Sequence, residues 1–106
     1  MKKLMIATTV LAGVGLAGAP IASADEAMYL DEVRREVAYP LTDVQAIQLG
    51  HIACGALRDG IISGLTFGLA RGKADDAVGI AQTDMGLSMS MPDSMFLVEA
   101  AEHQLC

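Results

Sequence analysis

Two histidine–cysteine pairs are the residues of this 106-residue chain whose types and spacing could carry chemistry. They are His51-x-x-Cys54 and His103-x-x-Cys106, and they include every histidine and every cysteine of the chain. Residues three apart on a helix share a face, so one metal ion such as zinc could collect a Cys2His2 set from the two pairs. The same cysteines could instead form a disulfide, which would leave the histidines as ordinary surface or core residues.

A group of methionines is the second candidate. Thioether sulfurs at short spacing are ligands that select Cu(I), so the group could bind copper. The alternative is that flexible methionine side chains fill an irregular core in a chain that has no tryptophan. The residues concerned are Met85, Met89, Met91 and Met95.

Catalysis has little support in the sequence. It contains no Gly-x-Ser-x-Gly elbow, no His-Glu-x-x-His pair, no phosphate loop and no dinucleotide fingerprint. The adjacent carboxylates Asp31-Glu32 and Asp75-Asp76 would point in different directions on a helix and would not form an acid–base pair. A cysteine nucleophile would need a free thiol. We therefore expect a protein that is not an enzyme and has no cofactor.

The first residues have the layout of a secretory signal peptide. Lys2 and Lys3 precede an uncharged, mostly apolar run from Leu4 to Ala19, which is followed by Pro20 and a small-residue cleavage signal. The run is shorter than the ~20 residues that span a bilayer. We expect cleavage after Ala24, which makes residues 1–24 a signal peptide and residues 25–106 one domain, exported by the general secretory route to the cell envelope or exterior.

The expected domain is strongly acidic. All 13 acidic residues follow Ala24, whereas two of the seven basic residues precede it, so the net charge of the domain is −8. Such a charge repels the phosphates of nucleic acids and the surface of anionic membranes. The sequence therefore argues against a nucleic-acid partner, and it suggests membrane contact only through the signal peptide before cleavage.

A first helix is predicted from Asp25 to about Val37, and Pro40 ends it because the residue before a proline disfavours helix. An ion pair between Asp31 and Arg35 is expected on its solvent side. The apolar residues that should face the core are Tyr29, Leu30, Val33 and Val37.

The helix that carries Cys54 is predicted from Thr42 to Asp59. Thr42 and Gln45 match a capping box, in which each side chain accepts a bond from a free amide at the helix start. Asp59-Gly60 is the expected end, since glycine is the usual residue just past a helix. The predicted apolar stripe, which aims Cys54 inward, consists of Val44, Ile47, Cys54, Leu57 and Ile61.

The segment from Gly60 to Gly72 has a glycine every four residues. We expect a weak, kinked helix packed in the domain; a flexible loop and a membrane-interacting hairpin are the alternatives. Gly72-Lys73-Ala74 indicates a break, after which a short helix should run from Asp75 or Asp76 to about Thr83.

A linker from Met85 to Met91 should lead to a last helix. Its start is indicated by Ser90-x-x-Asp93, and it should reach nearly to Cys106. Its core face is predicted to contain Met95, Val98, Ala101 and Leu105. No strand pattern competes with these helices, so the predicted fold is all-α, a small bundle of about four helices stapled by one disulfide. An exported chain with two cysteines favours that disulfide between Cys54 and Cys106.

The mature chain resembles the secreted, largely mycobacterial family called domain of unknown function 732. The resemblance rests on the acidic start with Tyr29-Leu30, on the stretch from Ala46 to Cys54, and on Phe96-Leu97-Val98-Glu99-Ala100-Ala101 leading to Leu105-Cys106. It departs from the family pattern at Leu105, at the chain end and in the glycine-rich segment. It implies a small helical exported domain with a disulfide, and it implies no activity.

These observations together predict a non-catalytic binding module of the cell envelope or exterior, with a protein or an envelope component as its unknown partner. The competing hypothesis is an exported metal-binding protein that uses the histidine–cysteine pairs or the methionines. A membrane-active protein is the third hypothesis.

Overall fold

The computed structural model describes residues 24–106. Four helices form most of this part: α1 (Ala24–Glu36), α2 (Asp43–Ile62), α3 (Phe67–Asp84) and α4 (Met91–Gln104). The described residues include no strand. The predicted all-α bundle of about four helices with one disulfide is therefore confirmed. The predicted signal peptide lies outside the described residues, apart from Ala24.

α1 agrees with its prediction. All four residues expected to face the core are buried. The ion pair on the solvent side is different, because Arg34 rather than Arg35 contacts Asp31, at 3.3 Å, and it also contacts Asp43 at 2.9 Å. Since Asp43 begins α2, this exposed pair links the two helices across the turn at Pro40.

Tyr29 fixes α1 on α2. Its side chain is fully buried, and its hydroxyl donates a hydrogen bond of 2.6 Å to the carbonyl oxygen of Ala46. The ring passes over Gly50, where an added Cβ would lie 2.7 Å from the ring and from Leu105. A side chain at this position would therefore displace the Tyr29 ring or Leu105.

The start of α2 is confirmed and its core face is not. Both hydrogen bonds of the capping box between Thr42 and Gln45 are present. The predicted stripe is wrong at its two ends, since Val44 is 63% exposed and Ile61 is 46% exposed. α2 packs against all three other helices, and it does so through a face of mostly small residues that lets their backbones approach. The buried positions are Ala46, Leu49, Gly50, Ala53, Leu57 and Gly60.

The glycine-rich segment is neither one kinked helix nor a loop. α2 continues past Gly60 to Ile62, and Gly64 provides the left-handed conformation, with φ of 96°, in the turn after it. α3 then starts at the cap residue Thr66, so the segment is the bend of a helical hairpin. Gly60 permits close packing of the two helices, because a Cβ there would lie 2.9 Å from that of Ala70.

α3 is continuous through the predicted break at Gly72-Lys73-Ala74, so the predicted short helix starting at Asp75 or Asp76 is wrong. Three small or branched residues at four-residue spacing, Ala70, Ala74 and Val78, are fully buried along this helix. Packing of this face against α2 outweighs the low helix propensity of Gly72.

The start of α4 is confirmed, because the Ser90 hydroxyl accepts a hydrogen bond from the amide of Asp93. Val98 and Ala101 are buried and Leu105 is partly buried, as predicted, whereas Met95 is 50% exposed. α4 contacts each of the other three helices, so its buried face is centred on Leu97 and Val98 rather than on the stripe that includes Met95.

Candidate functional site

Cys54 and Cys106 are joined by a disulfide that closes the bundle. The two residues lie 52 positions apart in the chain, and their Cα atoms are 5.4 Å apart. Cys54 is half-buried against the core on α2, and Cys106 is the exposed last residue. The amides of Leu105 and Cys106 both donate to the carbonyl oxygen of Ala101, which fixes the backbone just before the link. The disulfide therefore holds the end of α4 on the middle of α2.

Both histidines contact carboxylates of α1. The His51 ring lies 3.4 Å from Glu26, and Nδ1 of His103 lies 2.9 Å from Glu32. Glu32 is buried and also accepts a hydrogen bond of 3.1 Å from the Gln104 amide, so each of its carboxylate oxygens has a polar partner. The histidines thus connect α2 and α4 to α1.

The metal alternative is not supported by this arrangement. The sulfurs of Cys54 and Cys106 are bonded to each other and offer no thiolate. Within residues 24–106, no group of three or more histidine, cysteine, aspartate or glutamate side chains is arranged to hold a metal ion. His51, Cys54, His103 and Cys106 consequently do not form one ligand set there.

The methionines divide into two pairs. Met89 is buried and Met85 is packed against the core, as expected if methionine fills gaps between helices. Met91 and Met95 are exposed on α4. The four sulfurs therefore occupy two different environments, and Met91 belongs to a surface hollow.

A groove of about 650 Å³ runs beside the disulfide, between the end of α2, the start of α3 and the end of α4. Two residues of its lining contact Arg71, whose guanidinium lies 5.4 Å from the centre of the Phe67 ring and forms an ion pair with Glu102. Its apolar lining consists of Leu57, Ile61, Ile62, Phe67 and Leu105.

A second hollow of about 530 Å³ lies between the C-terminal half of α3 and the start of α4. The side chain of Gln82 shapes it, because its oxygen accepts a hydrogen bond of 2.9 Å from the Met89 amide and so holds the linker against α3. We call it the α3–α4 cleft. It is lined by Asp75, Asp76, Gly79, Ile80, Gln82, Thr83, Asp84, Met89, Met91 and Ser94.

The negative charge of the α3–α4 cleft is poorly compensated. Asp76 and Asp84 take part in no hydrogen bond or ion pair among the described residues. Asp84 also ends α3, where the helix dipole is negative and basic residues are favoured, yet the last turn contains none. One carboxylate oxygen of Asp75 is buried without a hydrogen-bond partner, and burial raises the pKa of Asp75 against the opposing effect of Arg71.

The α3–α4 cleft is not predicted by the sequence, because the predicted break at Gly72-Lys73-Ala74 divides α3. The spacing of Asp76, Ile80 and Asp84 is four residues, which places them on one side of a helix that runs through all of them. The predicted start of a short helix at Asp75 or Asp76 places these carboxylates at a helix end, whereas the structure places them on one side of the continuous helix α3.

Ten large apolar side chains are exposed among the described residues, and six of them belong to α3 and α4. The six are Phe67, Leu69, Ile80, Met91, Met95 and Phe96. No helix in the described part of the chain combines the length and the apolar character needed to cross a bilayer. Comparison with known proteins found no matching family model, curated protein or solved structure.

Proposed function

We propose that this protein is a secreted, non-catalytic binding module of the cell envelope or exterior, and that it binds another protein or an envelope component. The observation that carries the proposal is the concentration of exposed apolar side chains on α3 and α4. Scattered exposed apolar residues are normal, whereas a group of them beside shaped hollows is typical of an interaction surface.

The disulfide supports the same function. It fixes α4 at its C-terminal end, and the Ser90 cap together with the Gln82 bond to Met89 fixes its N-terminal end. The exposed side chains of α3 and α4 therefore stand on a rigid frame, which reduces the conformational entropy lost on binding.

The secreted location is proposed from two features of the sequence, the predicted signal peptide at residues 1–24 and the resemblance to the domain of unknown function 732 proteins. The resemblance rests on the two cysteines and their flanks. Metal binding has weaker support, because Met85 and Met89 pack in or against the core and the two cysteines are linked to each other.

Site-specific photo-crosslinking in the native host tests the proposal. A photoreactive amino acid is placed at Ile80, and at Arg35 on the opposite side as the matched control, since α1 has no contact with α3. We expect a discrete crosslinked species from position 80 and none from position 35, both in the envelope or culture-medium fraction. Equal crosslinking from the two positions, or none from any exposed apolar position of α3 and α4, would contradict the proposed function.

A further inference from the structure

We infer that the α3–α4 cleft docks a basic, amphipathic segment of a partner protein, with an apolar side chain of that segment between Ile80 and Met91 and its lysine or arginine side chains against Asp76 and Asp84. The inference deepens the proposed function and rests on it.

The apolar half of the cleft offers contact area and space. Ile80 of α3 and Met91 of α4 are each 65% exposed, and the buried Met89 lines the same cleft. Gly79 lies in the wall, and an added Cβ there would meet no atom within 4 Å, so the wall is open at this point. Methionine side chains adapt to apolar groups of different shapes, which suits a docking surface.

The cleft continues along α3 into an adjoining hollow of about 520 Å³. The two hollows share Asp75, Asp76 and Met91, and the second reaches Leu69 near the start of α3 and Leu65 before it. From Leu69 to Asp84 the helix rises about 22 Å, which is the length of about four helical turns. A short helical segment of a partner therefore matches the length of this surface.

Charge complementarity identifies the partner as basic. The carboxylates of Asp76 and Asp84 form no ion pair among the described residues, and the negative end of the α3 dipole adds to the potential at Asp84, which lies in the last turn. Arg71 is engaged with Glu102 and Phe67. Lys73 lines the adjoining hollow together with Asp76 and forms no ion pair among the described residues, so one lysine faces several carboxylates on this surface. Lysine or arginine side chains from a partner would supply the missing positive charge and would select it over acidic proteins.

The same charges argue against two other occupants. A second copy of this chain, related by a two-fold axis, would bring Asp76 and Asp84 towards their own equivalents. An anionic membrane surface would be repelled by the cleft. A basic, amphipathic segment of a different protein is the occupant that matches both the apolar side chains and the carboxylates of the cleft.

The test measures binding of the secreted, oxidised protein to a fluorescent amphipathic peptide that has leucine on one face and lysine on the other. The variant Asp76→Asn/Asp84→Asn should bind about fivefold more weakly at physiological salt. Gly79→Leu, which fills the open wall, should weaken binding about tenfold or more. The matched controls are Asp25→Asn/Glu36→Gln, which removes the same charge from α1, and Gly68→Leu, which adds the same side chain at another open glycine of α3.

Three results of the peptide measurement would overturn the inference. They are absence of binding by the peptide, an equal loss of affinity in the α1 charge control, and equal binding of a peptide with glutamate in place of lysine. A dimer of the protein that Gly79→Leu dissociates would assign the cleft to a second copy and would overturn it too. If position 80 crosslinks a partner in cells while the basic peptide fails to bind, the inference fails and the proposed function survives. If positions on α3 and α4 crosslink nothing, the proposed function fails.

Discussion

Removal of the disulfide is the perturbation whose effect can be worked out most directly from the structure. The double variant Cys54→Ala/Cys106→Ala opens a loop in which the cysteines are 52 residues apart. The chain-entropy model assigns about 4 kcal/mol to a link of this span, through the restriction of the unfolded chain. A domain of this size has a total stability of about 4–12 kcal/mol. The variant should therefore lose a large part of its stability.

Urea and thermal unfolding followed by circular dichroism measure the loss. We expect a Tm lower by about 15–30 °C and a reduced urea midpoint. The denaturant slope should increase, because the unfolded chain without the link exposes more surface. Intact mass of the unreduced wild-type protein is the accompanying control, and it should be two hydrogens below the reduced mass, with no titratable thiol.

Unfolding of the reduced wild-type protein distinguishes the effect of losing the disulfide from the effect of truncating the two cysteine side chains. Cys54 is half-buried, so its truncation also removes some packing. Reduced wild type and the double variant should unfold within about 1 kcal/mol of each other. A double variant that unfolds within about 1 kcal/mol of the oxidised protein would refute the reasoning, since the closed loop would then contribute little.

Three further substitutions test the packing. Gly50→Ala should destabilise the domain by about 1–3 kcal/mol in urea unfolding, because its Cβ would lie 2.7 Å from the Tyr29 ring and Leu105. Gly72→Ala should instead raise stability by about 0.5–1 kcal/mol, because α3 is helical there and the added Cβ meets nothing within 4 Å. Asp75→Asn should raise the Tm near neutral pH, since burial raises the pKa of Asp75 and its charged form is disfavoured in the folded state.

The pH dependence of Asp75→Asn has a definite sign. A carboxyl whose folded pKa lies above its unfolded pKa destabilises the fold when ionised, and this effect disappears as the pH falls through the two pKa values. The Tm difference between Asp75→Asn and wild type should therefore shrink on acidification. Growth of the difference at acid pH would contradict the assignment.

The two glycine variants have their own contrary results. A stabilised Gly50→Ala would show that Tyr29 moves freely, and no gain of stability in Gly72→Ala would argue for a break in α3.

Local signals in the sequence were sufficient where a structure depends on neighbouring residues. The capping box of Thr42 and Gln45 and the Ser90 cap start their helices as predicted, because each uses side chains within the first turn. The core face of α1 follows from its apolar spacing, since one side of it meets solvent. The disulfide follows from a count of two cysteines in a chain with a predicted export signal.

Tertiary packing decided the glycine-rich middle. Glycine is typical of helix ends, but Gly60 lies inside α2, where it allows Ala70 to approach. The low helix propensity of Gly72 predicts a break, but the residue lies inside α3. The helix is continuous there because the face of Ala70, Ala74 and Val78 is buried against α2. Helix propensity is weaker than the burial of such a face, so these outcomes depend on a partner helix that is remote in sequence.

The candidate site shows the same division most clearly. The sequence by itself determined an acidic, disulfide-linked helical domain, because charge and cysteine count need no geometry. Only the tertiary structure gave both histidines partners on α1 and set Asp76 and Asp84 beside Ile80 and Met91. These contacts connect residues on different helices, and their distances are fixed by how the helices pack rather than by spacing along the chain.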